Sequence, residues 1–556
     1  LSGNQIDFDY GEEDIMASHG KVEEGILYVG SCAYRRVLVA GMDTMRSSTL
    51  ALLEEFAAQG GEVIFAGEAP GCVDVIPSDK GGKLADRCRR VPFEEEAVAR
   101  AAKSGMEVRI MPTDSFFVQS FRVDGGRMVM LLNVNREKDY RNVSIDLGRG
   151  DYLELWDART GKVVRPDYQI LDGRIRLTMD LERGGERIFL VTEQCRELPE
   201  EELFTGGEPV ELPETFRYRL TEPNVCVLDI VCVTDGSGHE IPRMEVLKAD
   251  RALRDMLGIP YRGGEMLQPW YQVKYKGGNT KLLDTVSLRY DVEIAEIPER
   301  LRLAVEDLTH IRQIQVNGAE IPLVSKGKWI DICFDELEIP AGVLAKGRNT
   351  IDISMDYYST CGIEAIYLLG DFGVEILEAE FSAEEDSAGG ASADGASAGN
   401  TAGRPAEGAS ADIAPSGSRV VLTGLPDRLA VRDITEQGLP FYSGSVIYEL
   451  DGTAAAEEAK HRRVSVKAPG FGGALVKLHG KEEAAIAFPP YQVELEDLHS
   501  IEVVLTRRNT FGPLHQYPKE APSYGPGNFM TTGQAWSDAY MLYPQGLLEK
   551  PEVRIG

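Results

Sequence analysis

VSLRYDVEI (286–294), QVNGAEI (315–321), WIDICFDELEI (329–339) and AKGRNTIDISM (345–355) form a series that recurs downstream. Its echo is GSVIYEL (444–450), KLHGKEEAAI (477–486), PPYQVELEDL (489–498) and SIEVVLTRR (500–508). Each series reads as a strand, a strand ending in a hairpin, a capping segment and a closing strand. Apolar and polar residues alternate as in half-buried strands. The first hairpin falls at Asn317-Gly318, a pair suited to a type I′ turn, which needs φ > 0 at both central residues; the second falls at His479-Gly480. A repeat of roughly 100 residues implies two related jelly-roll sandwiches.

The flanks of the repeat set the remaining boundaries. Upstream lie a strand at 226–232 and a helix of about 243–257, with Val246, Leu253 and Leu257 toward a core and Gly258 as its stop. The first sandwich therefore spans 213–381 with a helical insertion, and the second spans 419–556 with an aromatic, Pro/Gly-rich tail. Between them, 25 of the 37 positions of 382–418 are Ala, Gly or Ser, too few apolar groups to offset ordering entropy, so this reads as a disordered linker. The acidic stretch 196–212 reads as a second linker. Residues 113–195 carry FFVQSFRV, MVMLLNV, VSIDL, YLELW, RIRLTM and RIFLVT, short strands without helices between them, as in an antiparallel β-sandwich. Residues 1–112 read as α/β. There the strand Val37–Ala40, a helix over 47–58 capped by Ser47 or Ser48, and the strand 63–67 imply a parallel crossover, followed by a helix near 94–104 and a strand near 108–110.

Composition excludes several classes. The 556 residues suffice for three to four domains, and 43 % hydrophobic with 27 % charged residues is ordinary globular usage. No apolar run is long enough to cross a bilayer as a helix. Lys and Arg number 59 against 90 Asp and Glu, a net charge of −31, which repels phosphate backbones; neither nucleic acid nor membrane is expected as a partner. Eight cysteines occur without a CxxC, and Cys226 and Cys232, read on one strand, are too far apart to bond. Unpaired thiols favour a reducing, cytoplasmic compartment. The start, LSGNQIDFDY, has no signal-peptide pattern and reads as the interior of a longer protein or a cut piece.

Certain blocks, in this order, resemble the C-terminal, non-catalytic part of large bacterial glycoside hydrolases of the α-L-rhamnosidase-like group. IDFDYGEEDI (6–15) and the stretch from Tyr34 to Gly67 are similar to the amidotransferase-like, flavodoxin-like α/β domain that follows the catalytic barrel there. ELWDARTGKV (154–163) resembles a hairpin of the next β domain. RYRLTEPNVCVLD (217–229), RGGEMLQPWY (262–271), YLLGDFGV (367–374), GLPFYSGSVIYEL (438–450) and RRNTFGPLH (507–515) resemble blocks of galactose-binding-like sandwiches. The resemblance implies a multidomain α/β plus all-β chain, an accessory region that braces a catalytic barrel not contained here and holds carbohydrate. The alternative is a free-standing carbohydrate-binding or adhesion module.

No residue stands out as catalytic. Among 90 acidic residues the sequence selects no carboxylate pair, and Glu12, Glu13 and Asp14 read as a solvated helix start. Cys72 lacks the elbow and partners of a glutamine amidotransferase, no Gly-rich nucleotide loop follows Ala40, and the seven histidines show no metal-ligand spacing. No cofactor or metal is expected. Sugar recognition pairs aromatic faces with planar polar groups. The candidates are Trp270 and Tyr271 with Arg262 and Glu265, on a turn-rich stretch, and Asn509 and His515, on a polar rim with Arg507 and Arg508. Trp329, Phe441, Tyr442 and Trp536 could also serve as platforms, or as core.

Overall fold

A computed structural model describes residues 1–103, 107–112, 115–159, 161–199, 207–262, 281–377, 418–521 and 523–556. The chain is mostly β and forms two compact units, Leu1–Thr205 with Phe488–Pro490, and Gly206–Ala487 with Tyr491–Gly556. Of the 382–418 segment only Ser418 lies within the described residues. Among the described residues, no helix is long and apolar enough to cross a membrane.

In the first unit, Arg36–Ala40, Glu62–Ala66 and Arg89–Val91 form a parallel sheet. The helix Ser47–Ala58 buries Leu50, Leu53 and Phe56. Gly61 lets the chain turn tightly past it, since a Cβ there would stand 2.2 Å from the Phe56 ring. Neither serine caps this helix. Its N-cap is Arg46, and Asp74 accepts from the Ser47 amide at 2.9 Å, so a carboxylate from a distant loop satisfies an amide of the first turn. Glu12 itself caps the helix Glu13–His19, accepting from the Ile15 amide at 2.7 Å.

The expected strand near 108–110 forms as Arg109–Met111, but it pairs antiparallel with Tyr140–Arg149 and buries Ile110 in the following sandwich. That sandwich has a four-stranded sheet, in the order Arg109–Met111, Tyr140–Arg149, Arg174–Leu181, Gln169–Leu171. Its second sheet has five strands, in the order Phe116–Val123, Gly126–Asn133, Glu186–Thr192, Tyr152–Trp156, Val163–Val164. Phe116, Val129, Leu131, Val143, Ile145, Ile175 and Phe189 fill the space between them.

The second unit holds two sandwiches with one strand order. In the inner one, Asn224–Leu228, Ile366–Gly370, Leu301–Glu306 and Phe334–Ile339 form one sheet. They face the order Glu240–Glu245, Ile230–Thr234, Asp284–Ile294, Gly347–Tyr357, Ile311–Val316, Ala319–Ile321. In the outer one, Glu208–Val210, Glu552–Ile555, Arg463–Lys467 and Gln492–Glu496 face Leu429–Ala430, Thr215–Leu220, Ser445–Glu449, Ser500–Val504, Leu475–His479, Glu483–Ile486. The repeat seen in the sequence is thus a strand-for-strand repeat of topology. Its first hairpin has φ of 52° at Asn317 and 80° at Gly318, as a type I′ turn requires. The second pairs His479 with Glu483 across a three-residue loop instead.

The inner sandwich is inserted into the outer one, between Thr215–Leu220 and Leu429–Ala430. Three sequence boundaries therefore move. Glu208–Val210, placed in a linker, is an edge strand on Glu552–Ile555. Thr215–Leu220, placed at the head of the first sandwich, pairs with Ser445–Glu449 of the second. Arg419–Thr423, placed in the second sandwich, pairs with Gly373–Leu377 and Asp284–Ile294 of the first. Linear reading assigns a strand to its neighbours in sequence, whereas nesting gives Glu208–Val210 and Thr215–Leu220 partners more than 200 positions away. Cys226 and Cys232 also part company: they lie on strands of different sheets, separated at Asp229, and all eight cysteines are free.

Glu552–Ile555 bridges Glu208–Val210 and Arg463–Lys467, with Val553 and Ile555 buried. Deleting residues 552–556 is expected to remove the cooperative thermal transition of the outer sandwich, measured by calorimetry. An unchanged transition would contradict the pairing.

Candidate functional site

The inner sandwich carries a cleft of about 160 Å³ where Asp229, Glu245, Glu306 and Glu364 meet Tyr367, Phe511, His515, Phe529 and Trp536. Its floor comes from the sheet and its lid from the aromatic tail, which folds back over the inner sandwich. Phe511 packs against Trp329, Phe334 and Tyr367 at ring distances of 5.6 Å.

Asp229 stands where the chain passes from one sheet to the other, 4 % exposed. Tyr540 donates to its Oδ1 at 2.7 Å, and its Oδ2 faces His515 Nε2 at 3.1 Å. The other ring nitrogen of His515 faces the Ser537 carbonyl at 2.8 Å. A carbonyl and a carboxylate both need a donor, so this ring is an imidazolium. Burial disfavours that charge, but the Asp229 carboxylate outweighs it and holds the His515 pKa above its ordinary value. The ring stacks on Trp536 at 4.7 Å and 20°, and the Lys248 ammonium lies 3.1 Å from the centroid of the same indole.

Glu245 is the N-cap of the helix Val246–Leu257 and accepts from the Lys248 amide at 3.1 Å. Burial, with a smaller push from the Asp229 charge, raises its carboxyl to about 7. Glu306, accessible along the cleft, is also pushed up to about 7, by desolvation against the cleft wall and then by the Glu364 charge. Glu364 is anchored by Arg262, whose guanidinium also donates to Asp250 at 3.1 Å. Gly362 leaves room for that guanidinium, because a Cβ there would stand 2.0 Å from it. Asp250 in turn accepts from Arg254, Tyr357 and the Ile363 amide, so a buried carboxylate is fully satisfied beneath the site.

Of the residues expected from sequence, His515 lines the cleft and Arg262 braces it from behind. Trp270, Tyr271 and Glu265 lie outside the described residues. Asn509 is fully buried, locked to the backbone of Tyr543 by two hydrogen bonds of 2.8 and 2.9 Å, so it faces no ligand. Arg507 forms a bidentate pair with Glu222, so the expected polar rim dissolves into separate structural contacts. Trp329, Phe441 and Tyr442 are core, while Trp536 reaches the cleft. Asp229, Glu245, Glu306 and Glu364 were not singled out by sequence. One signal was there to use: Asp229 is a lone charge inside NVCVLDIVCV, an apolar run that must be buried. Among the described residues, no group of His, Cys, Asp and Glu is placed to hold a metal ion.

No protein-family model and no curated protein matches the chain. Solved structures that resemble it are glycoside hydrolases, at low identity. A rhamnosidase from Novosphingobium sp. PP1Y shares 18 % identity over 62 % of this chain and 31 % of its own, with a TM-score of 0.27. A β-D-mannosidase from Dictyoglomus thermophilum shares 10 % over 50 % of this chain and 31 % of its own, TM-score 0.19. A β-D-glucuronidase from the same organism shares 12 % over 51 % and 38 %, TM-score 0.17. The chain spans about a third of the length of these proteins.

The raised carboxyl of Glu245 fixes the sign of a pH effect. Below 4.5 it is protonated folded or unfolded; above about 7 it is ionised in both states, but buried in the folded one. Stability is therefore lost as pH rises between those values, by about 3 kcal/mol. Raised His515 adds to the loss in the same direction, because its charge stabilises the fold only while it is protonated. The melting temperature of the second unit is expected to fall from pH 5 to pH 8. Glu245→Gln should match the parent at pH 4.5 and exceed it at pH 8; equal melting points at pH 8 would contradict the burial of this charge.

Proposed function

We propose that this chain is a carbohydrate-binding accessory region that works with the catalytic domain of a glycoside hydrolase of the α-L-rhamnosidase-like group. The observation that carries the reading is the cleft of the inner sandwich, where aromatic faces and carboxyls converge on one small space. Aromatic rings accept the C–H faces of a sugar, and carboxyls accept its hydroxyls. At about 160 Å³ the cleft is smaller than the roughly 300–1,000 Å³ of drug-sized pockets, which suits a single ring of a saccharide. The sequence blocks 217–229, 367–374 and 507–515, which carry the family resemblance, supply Asp229, Tyr367, Phe511 and His515 to it. A net charge of −31 supports carbohydrate over nucleic acid as partner.

A carboxyl held near 7, as that of Glu306 is, can also serve a glycosidase as its general acid, and this favours a second reading in which the cleft itself is catalytic. Turnover separates the two. The accessory reading expects no release of nitrophenol from aryl glycosides by the purified chain between pH 5 and 8.

Titration calorimetry against plant and bacterial oligosaccharides tests the binding. Submillimolar affinity for at least one neutral sugar is expected, weakened about tenfold by Glu306→Gln or by Phe529→Ala, whose ring lines the cleft and is exposed. Silence with every glycan, or full affinity in both variants, would reject the cleft as the binding site.

A further inference from the structure

The outer face of the five-stranded sheet in the first unit contains an anomaly. On the strand Tyr152–Trp156, Leu153 and Leu155 point into the core, so Tyr152, Glu154 and Trp156 belong to the solvent side. A glutamate there should be exposed, yet Glu154 is 2 % exposed. It accepts the indole N–H of Trp156 at 2.9 Å, and Nη1 of Arg196 lies 3.3 Å from each of its oxygens. The carboxylate is thus neutralised by Arg196 and used to fix the plane of an indole that remains 36 % exposed.

That indole borders a cleft of about 450 Å³. Met128 and Leu190, opposite one another on adjacent strands, make an apolar floor. The turn at Asp124-Gly125 and the segment after Glu186–Thr192, with Gln194 and Arg196, lie side by side at one end. The Thr192 hydroxyl donates to the Gly125 carbonyl at 2.6 Å and accepts from the Gln194 amide at 3.0 Å, which ties the two segments together. Gln194 is exposed, and the Arg196 side chain is 55 % exposed despite its pairing.

We infer that this cleft is a carbohydrate-binding site, distinct from the one on the inner sandwich, and that it takes neutral hexose units. A fixed indole face over an apolar floor matches the C–H face of a pyranose. The planar amide and guanidinium at its edge match vicinal hydroxyls. Among the described residues the charges of the lining are Asp124, Glu154 and Arg196, and that cation is spent on Glu154, so no unpaired cation among them holds a uronate or a sulfate. The volume accommodates more than one ring, in contrast to the smaller cleft of the second unit.

Affinity electrophoresis of the full chain in gels containing β-glucan, xyloglucan, galactomannan or arabinogalactan, with polygalacturonate as the charged control, tests this. Retardation is expected in at least one neutral polysaccharide and not in polygalacturonate. Trp156→Ala should weaken that retardation about tenfold. Gln194→Ala, a change on an exposed segment that cannot unfold the sheet, should weaken it several-fold. Glu306→Gln reports on the other cleft: loss in Trp156→Ala alone supports this site and not that one, and loss in Glu306→Gln alone does the reverse. The inference is overturned if no neutral polysaccharide retards the chain, or if Trp156→Ala and Gln194→Ala migrate as the parent does.

Discussion

A buried charge pair decides the shape of the second unit. Asp229 and His515 are 286 positions apart, and both side chains are 6 % exposed. Two charges withdrawn from water are costly, and the pair is tolerable only because each carboxylate oxygen and each ring N–H finds a partner: Tyr540 on one carboxylate oxygen, His515 on the other, Ser537 behind the ring. Such a pair adds little net stability over an apolar replacement, but removing one member leaves the other uncompensated. Its effect is positional. It fixes where the tail lies on the inner sandwich, and with it the placement of Trp536 and Phe511 over the carboxyls.

Nesting explains why this fastening is needed. The inner sandwich interrupts the outer one between two of its strands, so the chain leaves one core, completes another, and returns. The tail then runs back across the inner sandwich before ending as the strand Glu552–Ile555 of the outer one. Leu514, Phe511, Tyr540 and Leu542 pack against the inner core, although in sequence they lie between the strands Ser500–Val504 and Glu552–Ile555 of the outer sandwich. A surface built from segments this remote is rigid only if specific contacts hold them, and those of His515 and Tyr540 meet at Asp229.

Much of this was legible in the sequence, and the losses have physical causes. Alternation marked the strands, and Asn317-Gly318 marked its turn, because both are local properties of the chain. The parallel pairing of Val37–Ala40 with Val63–Ala66 followed from a strand, helix and strand in close succession. Partners across the nest were not legible: Thr215–Leu220 looks the same whichever sandwich it joins. The site was half legible. His515 stands out beside Arg507, Arg508 and Asn509, whereas its partner Asp229 is marked only as the one charge in an apolar run. Alternation in YLELW puts Glu154 on the outward side of its strand, and nothing local announces that Arg196 will cover it.

The central claim is that Asp229 and His515 act as one unit that fastens the tail and forms the cleft. A double-mutant cycle with Asp229→Asn and His515→Gln, read by chemical denaturation at pH 6, measures this directly. If the pair is coupled, each single change costs about 3 kcal/mol and the double change little more, a coupling of roughly 2 kcal/mol or above. Costs that add to within about 0.5 kcal/mol would show two independent residues and contradict the account.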